Sequence, residues 1–524
     1  MKKSQLSSND SVIECLGEVN DLAGSGEFSE ALKKFEECEK SYPDNINVVL
    51  NKAGFLINIG SYTNDSEVIE RGILAGETCL EDKSFADSRG MILYNTANGL
   101  HFRIGKYFND NNTYFGIEED VKRCVAMYRE AFELTRDPNA AVNLGNLFDE
   151  MGRPLEAMAE YERAIRADSA FGMAYGNKAV AVKQLSQITE YQGMYLAYAY
   201  QLFNEALKNE ESIIRTGGYS SLSIFKQGQE EIRRIFEQRS NADLLEKDLT
   251  HPAHSKDGSG DDLASYTQFC LDNDLYLTLH IFDRHSEGSI GDNISSSFIS
   301  SIGDEAADRW VKEAFMRLNE IKESYITGRY ILWQSQQKSD TMSSISQQSL
   351  LVNNLDYTAH NIYTGLLKSA YKEGFSALDK IANLVNYYLN LEAKEKDVSY
   401  RKIWFNKLKQ KNGYHPTVLE SNYRLFGLYS ALDELGGEPS SDRNSMEHRY
   451  FRVGTLPLDD NDAPTFQDFT QQTSDVYYKI KCAIVYLLNF INYCEDRKHQ
   501  AAIEKGSVVP SMPVISDQWL DLWK

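Results

Sequence analysis

PNAAVNLGNLFDEMGRPLEAMAEYERAIRAD, residues 138–168, is the stretch that decides the fold. Leu144, Gly145 and Phe148 recur at helical spacing before Gly152, and Ala157, Tyr161 and Ala164 do so after it. The pattern predicts two antiparallel helices joined by a glycine turn and packed through small residues. Upstream, Gly26, Phe28, Ala31, Phe35, Cys38 and Pro43 fall at the same offsets. Weaker copies follow at Ala53, Gly60 and Tyr62. Another begins at Tyr94, Ala97, Gly105 and Tyr107 and resumes at Cys124, Tyr128 and Ala131. That break makes FNDNNTYFGIEE (108–119) an insertion in an inter-helix turn, and Tyr175, Ala179 and Val182 open a further helix.

Recurrence near 34 residues with small residues at fixed offsets resembles tetratricopeptide (TPR) arrays, here over residues 1–235. Such a solenoid binds a peptide or protein on its concave face. A spacer or a scaffold for dimerisation is the other reading of the same pattern.

The chain of 524 residues is too long for one core, and its 42% apolar and 25% charged content with ten prolines favours an all-α, multidomain protein. A net charge of −22 repels nucleic acid at long range, so any RNA site must be a local basic patch. Seven scattered cysteines lack paired ligand spacing, which predicts reduced thiols, a cytoplasmic location and no zinc cluster or disulfide framework. Neither a signal peptide nor an apolar run of bilayer length is present, so no membrane association is expected.

Residues 236–304 read as a connecting segment. HPAHSKDGSGDD (251–262) and SEGSIGDNISSSFISS (286–301) are rich in turn formers, and QSQQKSDTMSSISQQS (334–349) reads as a third linker. Between them lie a short apolar piece, Tyr266 to Ile281, and a long amphipathic helix from Asp304 to Trp333. Within SALDKIANLVNYYLN (376–390), Ala377, Ile381, Leu384, Val385 and Tyr388 form an apolar stripe. Asp379, Asn383 and Asn386 stand on another face, either solvated or lining a cleft.

DRNSMEHR (442–449) follows Gly436, Gly437 and Pro439, with Ser440, Ser441 and Asp442 as candidate caps, which puts it at a helix start. Asn444 and His448 then share a face, and the long Arg443 side chain can swing toward the same phosphate. An imidazole near neutral pKa moves protons at a ribose hydroxyl or a leaving oxygen, while a guanidinium stabilises charge at phosphorus. Asn444 would orient the histidine or a phosphate oxygen.

Tyr266, Phe269, Cys270, Asn273 and Leu277, then LNEIKESYITGRYIL (318–332), NNLDY (353–357), SALDKIANLVNYYL (376–389), YRKIW (400–404) and RNSMEHR (443–449), resemble the HEPN superfamily. The resemblance is greatest to a bacterial subfamily in which this domain follows a Tyr/Cys/Asn segment and is fused to TPR repeats. It implies a four- or five-helix bundle over residues 305–524 that dimerises around two Arg-x(4–6)-His motifs. It further implies metal- and cofactor-independent endoribonuclease activity in phage defence or toxin systems. Arg443 and His448 match the defining pair and Asn444 the polar residue after the arginine. Asp379 and Asn386 match positions on the first core helix. Where relatives show Leu-Phe-Leu-Asn-Pro, this chain has LYLTLH (275–280).

RKIWFNKLKQKNGYH (401–415) is the densest basic stretch of the acidic chain. Lys402, Lys407, Lys409 and Lys411, with Arg449 and Arg452 beside the motif, are candidate RNA contacts. The alternative is a solvated helix end with Trp404 and Phe405 in the core. Phosphate-loop, zinc-helix and nucleophile-elbow motifs do not occur. The reading is therefore TPR-like repeats followed by a HEPN ribonuclease, with a catalytically silent, scaffolding HEPN dimer as its rival.

Overall fold

The computed structural model describes residues 2–189, 191–238, 242–245, 261–279, 290–296, 305–351, 357–406, 413–436, 442, 446, 451–455 and 463–505. Among them every regular element is helical and only isolated bridges occur besides. The protein is all-α, with helical repeats followed by a helical bundle. It divides into two compact units: Met1–Met151, Glu156–Lys178 and Glu205–Ser223 in one, and Gly152–Leu155, Ala179–Asn204 and Ile224–Lys524 in the other.

The first unit is built from α1 (Lys2–Gly24), α2 (Phe28–Ser41), α3 (Ile46–Thr63), α4 (Ser66–Glu81), α5 (Arg89–Asn111), α6 (Glu118–Thr135), α7 (Pro138–Glu150) and most of α8 (Pro154–Ala167), with parts of α9 (Gly172–Leu185), α10 (Gln192–Leu207) and α11 (Glu210–Gln238). Side chains cap the starts: Asn45 accepts from Asn47 N, Asp65 from Glu67 N and Val68 N, and Asp137 from Asn139 N just ahead of Pro138. Glycine sets the helix spacing at the predicted offset Gly145 and also at Gly72, which no offset had marked, whereas Gly26 and Gly105 have no atom within 4 Å of an added Cβ. A Cβ on Gly145 would stand 2.5 Å from Tyr161 Cε1, and one on Gly72 would stand 2.7 Å from Ile57 Cγ1. The insertion lengthens α5 to Asn111 and leaves a turn before α6, pinned where Tyr107 OH donates to Phe115 O at 2.9 Å.

Asparagines link successive repeats. Asn98 Oδ1 in α5 accepts from Tyr128 OH at 2.8 Å and from Asn143 Nδ2 at 2.9 Å. Asn146 Oδ1 in α7 accepts from Tyr161 OH at 3.0 Å and from Asn177 Nδ2 at 2.7 Å. One cysteine expectation is corrected. Cys15 on α1 and Cys38 on α2 are joined as a disulfide, their Cα atoms 6.2 Å apart, in the core of Val12, Val19, Phe35 and Leu56. The hairpin folds back and brings together thiols that sequence spacing had kept apart.

The long helices of the second unit are α13 (Glu305–Gln336), α15 (Ile362–Leu389) and α18 (Phe466–Glu504). Around them are α12 (Asp261–Asp272), α14 (Asp340–Gln347), the single turn α16 (Pro416–Leu419) and α17 (Arg424–Asp433). Gly374 on α15 lets the Tyr477 ring of α18 lie close, and Tyr477 OH donates to Ala370 O at 2.7 Å. Within this unit Ser295 N donates to Ile188 O at 2.9 Å, Ser296 Oγ to Asn492 Oδ1 at 2.7 Å, and Tyr195 OH lies 3.1 Å from Thr278 Oγ1. Two linker readings are thereby corrected. Residues 290–296 are packed in place, with Ile294 fully buried. Residues 334–349 hold the end of α13 and all of α14, because Ser339 Oγ accepts from Met342 N and starts a helix in a run of serines.

Candidate functional site

Arg443, Asn444, His448 and Arg449, with Lys407, Lys409 and Lys411, lie outside the described residues. The residues on either side of the motif are anchored. Asp442 Oδ2 accepts from Gln472 Nε2 at 3.1 Å, and the Phe451 ring lies 5.1 Å from Phe469, both partners belonging to α18. Phe451 O accepts from Lys368 Nζ at 2.8 Å and Val453 O from Ala359 N at 2.8 Å, while Thr455 N donates to Tyr357 O at 2.8 Å. The described flanks of the motif thus meet the starts of α15 and α18. Arg452 is half-buried there.

Two adjoining cavities open at this end of the bundle. The larger, of about 740 Å³, is lined by Gln336, Lys338, Asn361, Tyr363, Phe466 and Gln467 among others. The smaller, of about 400 Å³, is lined by Ile345, Ser349, His360, Thr364 and Lys368 among others, and shares Ala359 and Asn361 with the first. Burial, and then the neighbouring charge of Lys372, pull the Lys368 ammonium below its ordinary value.

The polar face of α15 does other work. Asp379 Oδ1 accepts from Tyr400 N at 3.2 Å. Asn386 Oδ1 accepts from Ala393 N at 3.1 Å, and its Nδ2 donates to Ala393 O at 2.9 Å. These two residues tie down the loop after α15 and so deliver YRKIW. Trp404 is buried there, donating to Tyr400 O at 2.6 Å, with its ring edge-on to Tyr429. Lys402 is exposed beside it. The basic stretch turns back on itself, with Asn406 N donating to Gly413 O and His415 N to Trp404 O. Among its described residues it is a turn where a helix end was the alternative.

Sequence reasoning missed a buried charge cluster. Arg329 of α13, 2% exposed, pairs with Asp292 through both carboxylate oxygens at 2.8 and 2.7 Å, and donates to Leu275 O at 2.7 Å and Tyr266 OH at 2.8 Å. The rings of Tyr266, Tyr276 and Tyr325 surround it at 5.1 to 5.6 Å. Burial alone would lower its proton affinity, but Asp292 reverses the sign and holds it above its ordinary value. Desolvation pushes the adjacent Cys270 thiol up to about 11, which favours the neutral thiol of a packed side chain. Lys481 of α18 pairs with Asp274 in the same region, and burial draws it down to about 7. The signal was present in α13: an arginine at helical spacing in the stripe Val311, Ala314, Leu318, Ile321, Tyr325 and Leu332.

Residues 306–494 match the family model described as LA2681-like HEPN, which runs from the start of α13 through most of α18 and encloses the motif. No curated protein matches the chain. Among solved structures, one titled "Crystal structure of MamA protein" is 17% identical, with 40% of this chain and 97% of that chain covered at a TM-score of 0.26. A second, "Crystal structure of MamA", is 19% identical over 38% and 96% at a TM-score of 0.24. Among the described residues, no helix is long and apolar enough to cross a membrane.

Proposed function

We propose that the chain is an endoribonuclease whose HEPN portion cuts RNA and whose repeats hold a protein partner or trigger. The observation that carries this reading is the HEPN match over 306–494, which encloses both Arg443 and His448. In the proposed reaction the ribose 2′-oxygen attacks its own 3′-phosphorus and the bond from phosphorus to the 5′-oxygen breaks. The 2′-proton leaves to a base and the 5′-oxygen gains one from an acid, giving a 2′,3′-cyclic phosphate and a 5′-hydroxyl. His448 is the acid or base, Arg443 stabilises the phosphorane charge and Asn444 orients the imidazole or a phosphate oxygen. No step calls for a metal ion. Asp379 and Asn386 support the site through the loop they tie down. Lys402, Lys407, Lys409, Lys411, Arg449 and Arg452 are the proposed RNA contacts.

The proposal includes a homodimer that brings two motifs to one cleft. It also includes a functional division into repeats (1–235), a connecting segment (236–304) and a nuclease domain (305–524), and a role in a bacterial cytoplasmic anti-phage or toxin-like system. Purified protein should cut RNA in the presence of chelator, with cyclic phosphate ends. His448→Ala should reduce the rate by about 10²-fold or more, the usual worth of a general acid or base. Equal cleavage by wild type and variant would refute the assignment. Failure of both to cut under activating conditions would leave the silent scaffold.

A further inference from the structure

The two adjoining cavities have no assigned occupant, and each carries a lysine in a chain of net charge −22. Several basic side chains of this unit sit against a carboxylate, as Arg317, Arg329, Lys479 and Lys481 do. Lys338 and Lys368, one in each cavity, have no ion pair among the described residues, and neither does Lys372, one helical turn beyond Lys368. Lys368 Nζ donates to the Phe451 carbonyl and lies 5.8 Å from the centroid of the same residue's ring. Two like charges a turn apart, one half-buried, destabilise each other, and an anion beside Lys368 would relieve that. Asp468 lines the larger cavity, but its carboxylate is held by the Thr465 backbone N–H and hydroxyl.

The larger cavity also carries what a planar heterocycle needs. Its volume lies within the range of small-molecule sites. Tyr363 offers a ring held still by its hydroxyl, which donates to Ser339 O at 3.0 Å and accepts from Ser339 N at 3.1 Å. Phe466 supplies a second ring. Asn361 caps α15 with its Oδ1, and neither its Nδ2 nor the exposed Gln467 amide has a partner among the described residues. A held tyrosine ring with Phe466 beside it, and amides and lysines that lack amide partners or ion pairs among the described residues, match a base, its polar edge and its phosphates.

We propose that the two cavities form one subsite for a nucleoside phosphate unit. Its base lies in the larger cavity against Tyr363 and Phe466, with its edge on Asn361 and Gln467 and the flanking phosphates on Lys338 and Lys368. The choice of a nucleotide as occupant rests on the ribonuclease reading above. The unit is either part of an RNA strand or a free mononucleotide.

The test is equilibrium binding to the full chain carrying His448→Ala, which slows turnover by about 10²-fold or more, with cleavage followed separately in chains that keep His448. The probes are labelled octanucleotide RNAs of each base and, separately, free AMP, UMP, CMP and GMP. Lys338→Ala, Lys368→Ala and Gln467→Ala should each weaken binding by about fivefold or more, the order expected for one phosphate or base contact. Lys396→Ala, on an exposed turn of the same unit, should change it little. Asn361→Ser keeps a capping oxygen for α15 and removes the side-chain amide, so it should alter preference among the bases while leaving the melting temperature in place. Variant-sensitive binding of the RNAs alone assigns the subsite to a strand, and the same sensitivity for a mononucleotide assigns it to a free ligand. Wild-type affinity in all four cavity variants, or no binding of any probe, overturns the proposal. Cleavage that persists with unchanged affinity and base preference sinks the subsite alone, whereas variant-sensitive binding by a chain that never cuts RNA sinks only the nuclease reading.

Discussion

Removing Asp292 should harm the protein more than removing the arginine it binds. In Asp292→Ala the Arg329 guanidinium, 2% exposed, loses its anion and stays buried near Lys481, another cation inside the unit. Stranding a buried charge in this way costs about 3–5 kcal/mol. Arg329→Met leaves a milder defect. The Asp292 side chain is 18% exposed and can take water, Leu275 O keeps its bond from Tyr325 OH at 2.8 Å, and methionine continues the apolar stripe of α13. The loss is then the ring contacts, one tyrosine partner and the pair with a carboxylate that water can reach, about 2–3 kcal/mol. Because a chain of two units need not unfold in one step, the assay is hydrogen–deuterium exchange of peptides covering 261–279 and α13, with the first thermal transition as a second readout. Asp292→Ala should lose protection over both segments, and Arg329→Met should lose less. Equal protection in the two variants, or greater damage from Arg329→Met, refutes the reasoning.

Gly145→Ala places a methyl 2.5 Å from the buried Tyr161 ring, which its bond to Asn146 holds still, so it should cost about 1–3 kcal/mol. Gly17→Ala, with no atom within 4 Å of the new Cβ, should instead stabilise α1 by about 0.5–1 kcal/mol, and melting curves of the two variants separate these signs. At Glu434, burial would raise the carboxyl, but Arg153 and Lys479 outweigh it and hold it at about 2, against an ordinary 4.5. A carboxyl depressed in the folded state stabilises above its unfolded value, and that contribution is lost as pH falls from 4.5 toward 2. The unscreened shift corresponds to about 3 kcal/mol, and for a side chain 35% exposed about 1 kcal/mol is the sounder figure. Acid titration of wild type and Glu434→Gln should show a gap in stability above pH 4.5 that closes below it, and a gap that persists at low pH would count against the ion pair.

The repeats were legible because their packing is local: Gly145 and Tyr161 meet within one hairpin, so fixed offsets carry the contact. The links between hairpins were not, since Asn98 reaches Asn143 only after an insertion has shifted the count. Cys15 and Cys38 escaped for the same reason, being neighbours across a turn and not along a motif. The Ser/Gln run at 334–349 has linker composition, yet one serine hydroxyl suffices to start α14. At the candidate site, periodicity marked a polar stripe of Asp379, Asn383 and Asn386 and the family resemblance singled out the first and last, but neither revealed that their partners are the backbone of a following loop. The cavity lining drew no notice because Lys338, Asn361 and Gln467 come from three separate helix ends and share no spacing.

The amide oxygens of Asn98 and Asn146 each take one hydrogen from a tyrosine of the next helix and one from an asparagine further along. Helix α7 therefore faces both ways, giving Asn143 to its predecessor and receiving Asn177 from its successor. If α7 frays, oxygens on both sides lose a donor at once, so the stretch from α5 to α9 should open as a block while α1 and α2 can peel away separately. A solenoid usually behaves like a row of independent tiles; this polar thread makes its middle three behave as one.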